Sequence, residues 1–398
     1  MKIMSINCGS SSLKFKLFEM PEEKVLAEGI FERIGMEMGD YKISQFGSKK
    51  DYTEVALPDH SVAVELLLNE LLKRGILKSL DEIKGVGHRV VQGGKYFTES
   101  ALVDEWSKGK VRELIDLAPL HNKAHLIGVE AFEKHLPGVK QIFVFDTSFH
   151  NRGMKEEAFM YAVPYRWYTE YGIRKYGAHG TSHEYLSKEC ARLMGKDVKD
   201  VNIITCHIGN GASLAAIEGG VCKDTSMGLT PLEGVPMGTR TGNIDPTVVS
   251  YIAEKENKDA KTVVNELNKK SGYLGLSEYS SDARDLEDKE AEGDARATLV
   301  FNVQAKRIVD YIASYWMYLG GKVDAIVFSA GIGENSPQFR KRICDRLFPL
   351  GVKIDEETNN QRGKAFKFST PDSKIECWCI PTDEEVVIAR DTVRLTQK

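Results

Sequence analysis

Hydrophobic positions along this chain follow two spacings in turn. Period-two and short continuous apolar runs fill the first stretch and predict strands at about 2–6, 13–19 and 25–33, with weaker ones at 41–44 and 52–56. The spacing then becomes helical. Residues 60–74 are amphipathic, 83–90 reads as a strand, 111–117 and 124–135 read as helices, and 141–145 is a buried strand. The second half repeats this style, with strands at 201–206, 213–218 and 221–224, then helices at 246–256, 260–270 and about 295–319. A buried strand at 325–328 leads into a glycine turn, 329–335, that feeds the N-terminus of a basic helix containing Arg340, Lys341 and Arg342. The chain closes with a strand at 374–380, a cap at Pro381-Thr382-Asp383 and an amphipathic helix from Glu384. Strands followed by helices, twice over, argue for duplicated α/β domains.

A strand, a glycine-serine turn and a second strand also occur twice. The first copy contains Ile6-Asn7-Cys8-Gly9-Ser10-Ser11-Ser12-Leu13-Lys14, and the second contains Cys206-His207-Ile208-Gly209-Asn210-Gly211-Ala212-Ser213. Small residues in such a turn leave backbone N–H groups uncovered, which suits them to phosphate oxygens. Each copy alone reads more readily as an ordinary hairpin. Their shared order, about half a chain apart, predicts two related domains serving one nucleotide.

At 398 residues the chain exceeds one ordinary core, and two domains of about 150 to 200 residues are expected. Its 42% hydrophobic and 28% charged content is that of a globular protein, and a net charge of −4 gives no electrostatic reason to expect nucleic acid or an anionic membrane. Seven cysteines, several inside apolar strands and none in a C-x-x-C pair, read as reduced core residues of a cytoplasmic protein. No run reaches the roughly 18 apolar residues of a membrane helix, and the first residues enter a strand without the marks of a signal peptide.

Several templates are absent. There is no G-x-x-x-x-G-K-[ST], no G-x-S-x-G, and Gly331-Ile332-Gly333 lacks the third glycine of a dinucleotide fingerprint. His121 with His125, and His179 with His183, have i, i+4 spacing but not the neighbouring acid of a zinc motif.

The segments Asn7 to Lys14, Gly87-His88-Arg89-Val90-Val91-Gln92-Gly93-Gly94, Ala118-Pro119-Leu120-His121-Asn122, Phe145-Asp146-Thr147 with His150, Tyr176-Gly177-Ala178-His179-Gly180-Thr181-Ser182-His183, His207 to Gly211, Pro236-Met237-Gly238-Thr239-Arg240-Thr241-Gly242 and Gly331-Ile332-Gly333-Glu334-Asn335 together resemble the acetate kinase family. The resemblance covers essentially the whole chain. It implies an α/β fold of duplicated actin-like, ribonuclease H-like domains with a central nucleotide cleft. The first domain would take 1–150 and be rejoined by the C-terminal helix 383–398, and the second would take 151–382. It also implies a reversible, magnesium-dependent transfer from ATP to acetate that gives acetyl phosphate and ADP, carried out by a homodimer in the cytoplasm.

Residue by residue, the resemblance assigns Arg89 to the substrate carboxylate, and Arg240 and His179 to the transferring phosphoryl group. Asp146 matches the family's active-site aspartate. Asn7 and Glu384 correspond to its magnesium-site residues, with manganese as an alternative ion and Glu385 as the neighbour most easily mistaken for Glu384. The acyl pocket corresponds to Val91, Leu120, Ala178 and Pro231. His207, Ile208, Gly209, Asn210 and Gly211 would meet the ATP phosphates, together with Ser10, Ser12 and Lys14 from the first turn. Asp282, Ala283 and Arg284 would lie near the nucleoside, and Gly331, Ile332, Gly333, Glu334 and Asn335 near the base and ribose. This chain departs from common family patterns in having Ala178, Ala283 and Gln92.

The chemistry of the residues agrees with these assignments. Phosphoryl transfer to a carboxylate needs cations around the phosphoryl oxygens and an anchor for an anionic acceptor, and a guanidinium supplies bidentate contacts that a lysine cannot copy. The acceptor is already ionised at pH 7, since a small carboxylic acid has a pKa near about 4.3, so Asp146 has no proton to remove. Orienting an arginine or a metal-bound water is the role that remains for it. Ala178 leaves room for a longer acyl chain, which makes a propionate or other short-chain acyl kinase the nearest alternative. A nucleotide switch of the actin or chaperone kind uses the same fold without phosphorylating a metabolite.

Overall fold

The computed structural model describes residues 1–45, 52–119 and 121–397. The chain divides into two compact units, Met1–Asn151 with Asp383–Lys398, and Arg152–Thr382.

The first unit is built on an eight-stranded sheet. Its strands are β1 (Lys2–Cys8), β2 (Ser12–Glu19), β3 (Lys24–Glu32), β4 (Gly39–Gln45), β5 (Thr53–Val55), β6 (Ile83–Val90), β7 (Ala101–Leu102) and β8 (Lys140–Phe145), in the spatial order β5-β4-β3-β2-β1-β6-β8-β7. β1 to β5 form an antiparallel meander, whereas β6 runs parallel to both β1 and β8. Helix His60–Lys73 begins at Asp59, whose carboxylate accepts from the Val62 N–H at 2.9 Å. Its apolar stripe of Ala63, Val64, Leu67, Leu68 and Leu71 enters a core with Met4, Phe15, Phe31, Val86 and Phe132.

The C-terminal helix Glu384–Thr396 belongs to this unit, and glycines in β6 let it lie close to the sheet. A Cβ on Gly87 would collide with Thr392 and Ile388. Asp383 caps the helix by accepting from the Val386 N–H at 3.2 Å.

The second unit has a six-stranded sheet of β9 (Asn202–Ile208), β10 (Ala212–Glu218), β11 (Val221–Thr225), β12 (Ala325–Ser329), β13 (Phe366–Lys367) and β14 (Glu376–Cys379), ordered β11-β10-β9-β12-β14-β13. β9 and β10 are antiparallel and β12 runs parallel to β9 and β14. The run β3-β2-β1-β6-β8 in one sheet therefore has the same order and directions as β11-β10-β9-β12-β14 in the other. The fold is duplicated. β12 is buried along its whole length, as expected of a strand with parallel neighbours on both sides. Helix Ala295–Tyr318 covers this sheet with a stripe of Ala297, Val300, Phe301, Ala305, Ile308, Ile312 and Tyr315. Among the described residues no helix is long and apolar enough to cross a membrane.

Three local expectations change. The helical pattern at 111–117 resolves into the end of helix Glu105–Glu113 followed by a 3₁₀ turn, Leu114–Leu117, because the Asp104 and Ser107 capping box starts the helix earlier. The glycine turn at 329–335 is itself mostly helical, as Ala330–Asn335, and precedes helix Pro337–Arg346. The last strand is shorter than 374–380, covering only Glu376–Cys379. Helix Gly180–Leu193 has no counterpart in the periodicity reading. It starts directly after His179, whose φ of 55° is left-handed, so it lacks the side-chain cap that marks a helix start in sequence.

Candidate active site

The two glycine-serine turns are both tight hairpins. In the first, the Gly9 N–H donates to the Ser12 carbonyl at 2.8 Å, and in the second the Gly209 N–H donates to the Gly211 carbonyl at 3.0 Å. Ser12 and Lys14 occupy alternate positions of β2 and so share a face, with Lys14 paired in register to Asn7 of β1. Ser10 lies in the turn itself, outside the strand, and does not continue that alternation.

The first unit gathers its charged candidates at the ends of β6 and β8 and at the start of the C-terminal helix. Arg89 Nε donates to Asp146 Oδ1 at 2.9 Å and Nη2 donates to Oδ2 at 2.7 Å, a bidentate pair. Glu384 Oε2 lies 4.0 Å from Arg89 Nε. Burial opposes the Arg89 charge, but Asp146 and then Glu384 outweigh it, so the guanidinium pKa is raised. The Asp146 side chain is 1% exposed and the Arg89 side chain is 22% exposed. Glu385 turns elsewhere. Its carboxylate and that of Asp383 each accept from Lys16 Nζ at 3.3 Å. Val91 is buried beside Gln92, whose backbone exchanges two hydrogen bonds with the Asn122 side chain. Leu120 lies outside the described residues.

The second unit brings His179, Arg240 and the Gly209–Gly211 turn together. A Cβ built on Gly211 would sit 3.5 Å from His179 Nε2 and 3.6 Å from Arg240 Nη1. The His179 and His207 rings stack with centroids 4.2 Å apart. Arg240 donates to the Pro231 carbonyl at 3.2 Å and lies 3.6 Å from the Met237 sulfur, and no carboxylate pairs with it among the described residues. Burial alone lowers its pKa. An arginine held this way has donors left for an anionic ligand.

Behind this group runs a chain of polar contacts that sequence reasoning missed. His179 Nδ1 and Ser213 Oγ are 2.8 Å apart, Ser213 Oγ and His183 Nε2 are 2.7 Å apart, and His183 Nδ1 and Thr205 Oγ1 are 2.7 Å apart. Ser182 Oγ bridges His207 Nδ1 and Thr382 Oγ1 at 2.8 Å each. The available signal was the i, i+4 spacing of His179 and His183, whose ring nitrogens meet the Ser213 and Thr205 hydroxyls. Among the described residues no cluster of three His, Cys, Asp or Glu side chains forms a metal cage.

A cavity of about 730 Å³ in the second unit is lined by Gly209, Asn210, Asp282, Ala283, Arg284, Gly331, Ile332 and Asn335, together with Tyr273, Ser281, Glu287, Ser336 and Arg362. Asp282 caps helix Ala283–Ala291 and accepts from Arg284 Nη2 at 2.6 Å; hydrogen bonding to Arg284 holds its pKa down at about 2. Gly333 and Glu334 stand behind the wall. Glu334 Oε1 accepts from the Ala330 N–H at 2.7 Å and from Ser329 Oγ and the Thr382 N–H at 3.3 Å each. Ile208 is fully buried in β9, and Ala178, at 2% exposure, is part of the hydrophobic core of this unit.

A model of the acetokinase family matches residues 2–390. The chain belongs to the acetokinase family. It is 53% identical to the acetate kinase of Acholeplasma laidlawii over 398 residues, covering all of both chains. Among solved structures it resembles the acetate kinase of Porphyromonas gingivalis, with 44% identity, 99% of each chain covered and a TM-score of 0.94. It also resembles a propionate kinase from Francisella tularensis subsp. tularensis SCHU S4, with 37% identity, 99% coverage of each chain and a TM-score of 0.92. Acetokinases are phosphotransferases that use ATP, and the two-sheet α/β architecture of this chain is theirs.

Proposed function

We propose that this acetokinase transfers the γ-phosphoryl group of ATP to acetate, reversibly and directly. The convergence of Gly211, His179 Nε2 and Arg240 Nη1 carries the reading, because it sets a ring nitrogen and an arginine beside a glycine turn next to the 730 Å³ cavity. The cavity suits a nucleoside, with the Gly209–Gly211 turn toward its phosphates and the Asp282–Arg284 and Gly331–Asn335 segments around sugar and base. Arg89 is assigned to the acetate carboxylate. Asp146 holds that guanidinium in orientation and does not act as a base, since acetate arrives ionised. A carboxylate oxygen forms the new bond to phosphorus while the bond to the β–γ bridging oxygen breaks, and the departing electron pair stays on ADP. His179 and Arg240 stabilise the charge on the transferring group.

Magnesium is assigned to Asn7 and Glu384 of the first unit, with Asp146 close by. All three offer oxygen donors, and so few protein ligands suit an ion that keeps waters and binds nucleotide phosphates. Bound there, the ion would neutralise phosphate charge.

Acetate, ATP and magnesium with hydroxylamine should yield acetyl hydroxamate well above a no-enzyme control. No product would favour a nucleotide switch. The small Ala178 favours propionate as a second substrate, and kcat/KM for propionate should stay within about a hundredfold of that for acetate. We also assign a homodimer, supported by exposed Tyr165, Trp167, Tyr171 and Met317 in the second unit. A monomer mass by light scattering would reject it. The burial of all seven cysteines supports a cytoplasmic setting.

A further inference from the structure

Among the described residues Arg340 is the largest fully buried side chain, with 0% exposure. Among the described residues no carboxylate pairs with it. Its Nε donates to Asn359 Oδ1 at 2.8 Å, Nη1 donates to the carbonyls of Gly333 at 2.8 Å and Glu334 at 2.9 Å, and Nη2 donates to the Asn359 carbonyl. The Phe366 and Phe368 rings stand with centroids 5.5 Å from its guanidinium carbon. Burial lowers its pKa. A cation in such surroundings is costly, and an apolar side chain of similar volume would fill the space at less expense in desolvation. What the guanidinium adds is geometry: a planar fork that fixes several carbonyls at once.

Two of those carbonyls, of Gly333 and Glu334, belong to the short helix Ala330–Asn335, whose Gly331, Ile332 and Asn335 line the 730 Å³ cavity. Glu334 already ties the start of this helix to Ser329 and Thr382, and Ala330 there has a left-handed φ of 65°. Arg340 ties its end, where a positive charge also suits the helix dipole. Asn359 completes the brace by donating from Nδ2 to the Pro337 carbonyl at 2.9 Å.

We propose that Arg340, with Asn359, is a positioning residue for the nucleotide, holding the Ala330–Asn335 wall in the shape that receives base and ribose; this rests on the reading of the cavity as the nucleotide site. Lysine keeps the charge but cannot reach both carbonyls and Asn359 together.

The test is steady-state kinetics, calorimetric ADP binding and thermal melting of Arg340→Lys, Asn359→Ala and Gly331→Leu in the full chain. Arg340→Lys should raise the KM for ATP and the Kd for ADP about tenfold while the KM for acetate stays within about twofold of the parent. A lower Tm with an ATP KM within about twofold of the parent would reduce Arg340 to a purely structural part and overturn the proposal. Should the lysine variant fail to fold, Asn359→Ala removes one acceptor and should raise the ATP KM about threefold; no change overturns the proposal equally. Gly331→Leu tests the underlying reading separately, since a side chain there meets no atom within 4 Å and would enter open space. If that variant binds ADP as the parent does, the cavity is not the nucleotide site; if it loses ADP and Arg340→Lys does not, only the brace is refuted.

Discussion

Ser213 Oγ stands 2.8 Å from His179 Nδ1 and 2.7 Å from His183 Nε2, so one hydroxyl serves two imidazoles. The hydroxyl can donate to only one of them and must accept from the other, which couples the tautomers of the two rings. His183 is fully buried and is further fixed by Thr205. Ser213→Ala should lower kcat about tenfold to a hundredfold with little change in the KM for ATP, because it removes the hydroxyl that orients the His179 ring and takes a hydrogen-bond partner from the buried His183 nitrogen. Ser213→Thr should recover part of the loss. Equal kcat in parent and alanine variant would show that the hydroxyl does not orient His179.

The bidentate contact between Arg89 and Asp146 leads to a second expectation. Asp146→Asn keeps one oxygen acceptor and the side-chain volume but removes the charge that supports the guanidinium. The KM for acetate should rise about tenfold or more. Initial-rate measurements over a range of acetate concentrations decide it. An unchanged KM and kcat would mean that Arg89 is oriented without the aspartate charge.

Stability should fall in mild acid. Burial pushes the pKa of His88 down to about 4, against a partial offset from Gln141, and burial followed by Arg89 and His121 pushes that of His125 down to about 3. Both start from 6.5. Below that value the unfolded chain takes up protons that the folded chain refuses, so unfolding free energy rises with pH in this window and is lost as pH drops from 6.5 toward 4. Each ring contributes up to about 1.4 kcal/mol per pH unit. Urea titrations at several pH values should show His125→Asn with a shallower dependence than the parent. Identical slopes would assign the acid sensitivity to other groups.

Gly87 marks where β6 meets the C-terminal helix. Since a Cβ there would collide with Thr392 and Ile388, Gly87→Ala should destabilise the first unit by about 1–3 kcal/mol. The helix also carries Glu384, which we assign to magnesium, so the variant should lose activity before it loses its fold. Melting curves alongside activity as a function of magnesium would test this, and a variant as stable as the parent would mean that the helix shifts without cost.

Strand and helix periodicity, the two glycine hairpins and the cap at Asp383 were legible in the order of residues, because each depends on contacts within a few positions. The duplication was legible for the same reason, although matching the two sheets strand by strand required their long-range pairing. Helix Gly180–Leu193 escaped notice because its entry through a left-handed His179 lacks the usual cap. The motifs pointed to Arg89, His179 and Arg240 and left Asp146 to orient an arginine or a metal-bound water, but said nothing of what holds His179 and Arg240. That Glu384 faces Arg89 while Glu385 turns to Lys16 depends on the rotation of the last helix against β2 and β6. That Arg340 joins the Gly333 and Glu334 carbonyls to Asn359, 19 residues further along, depends on a buried fork closing inside the packed second unit. The sequence by itself determined the elements, the duplication and the chemical types available. Only the tertiary structure decided which donors meet which acceptors, since hydrogen-bond partners far apart along the chain are selected by the packing of whole elements and by the cost of leaving any buried polar group unpaired.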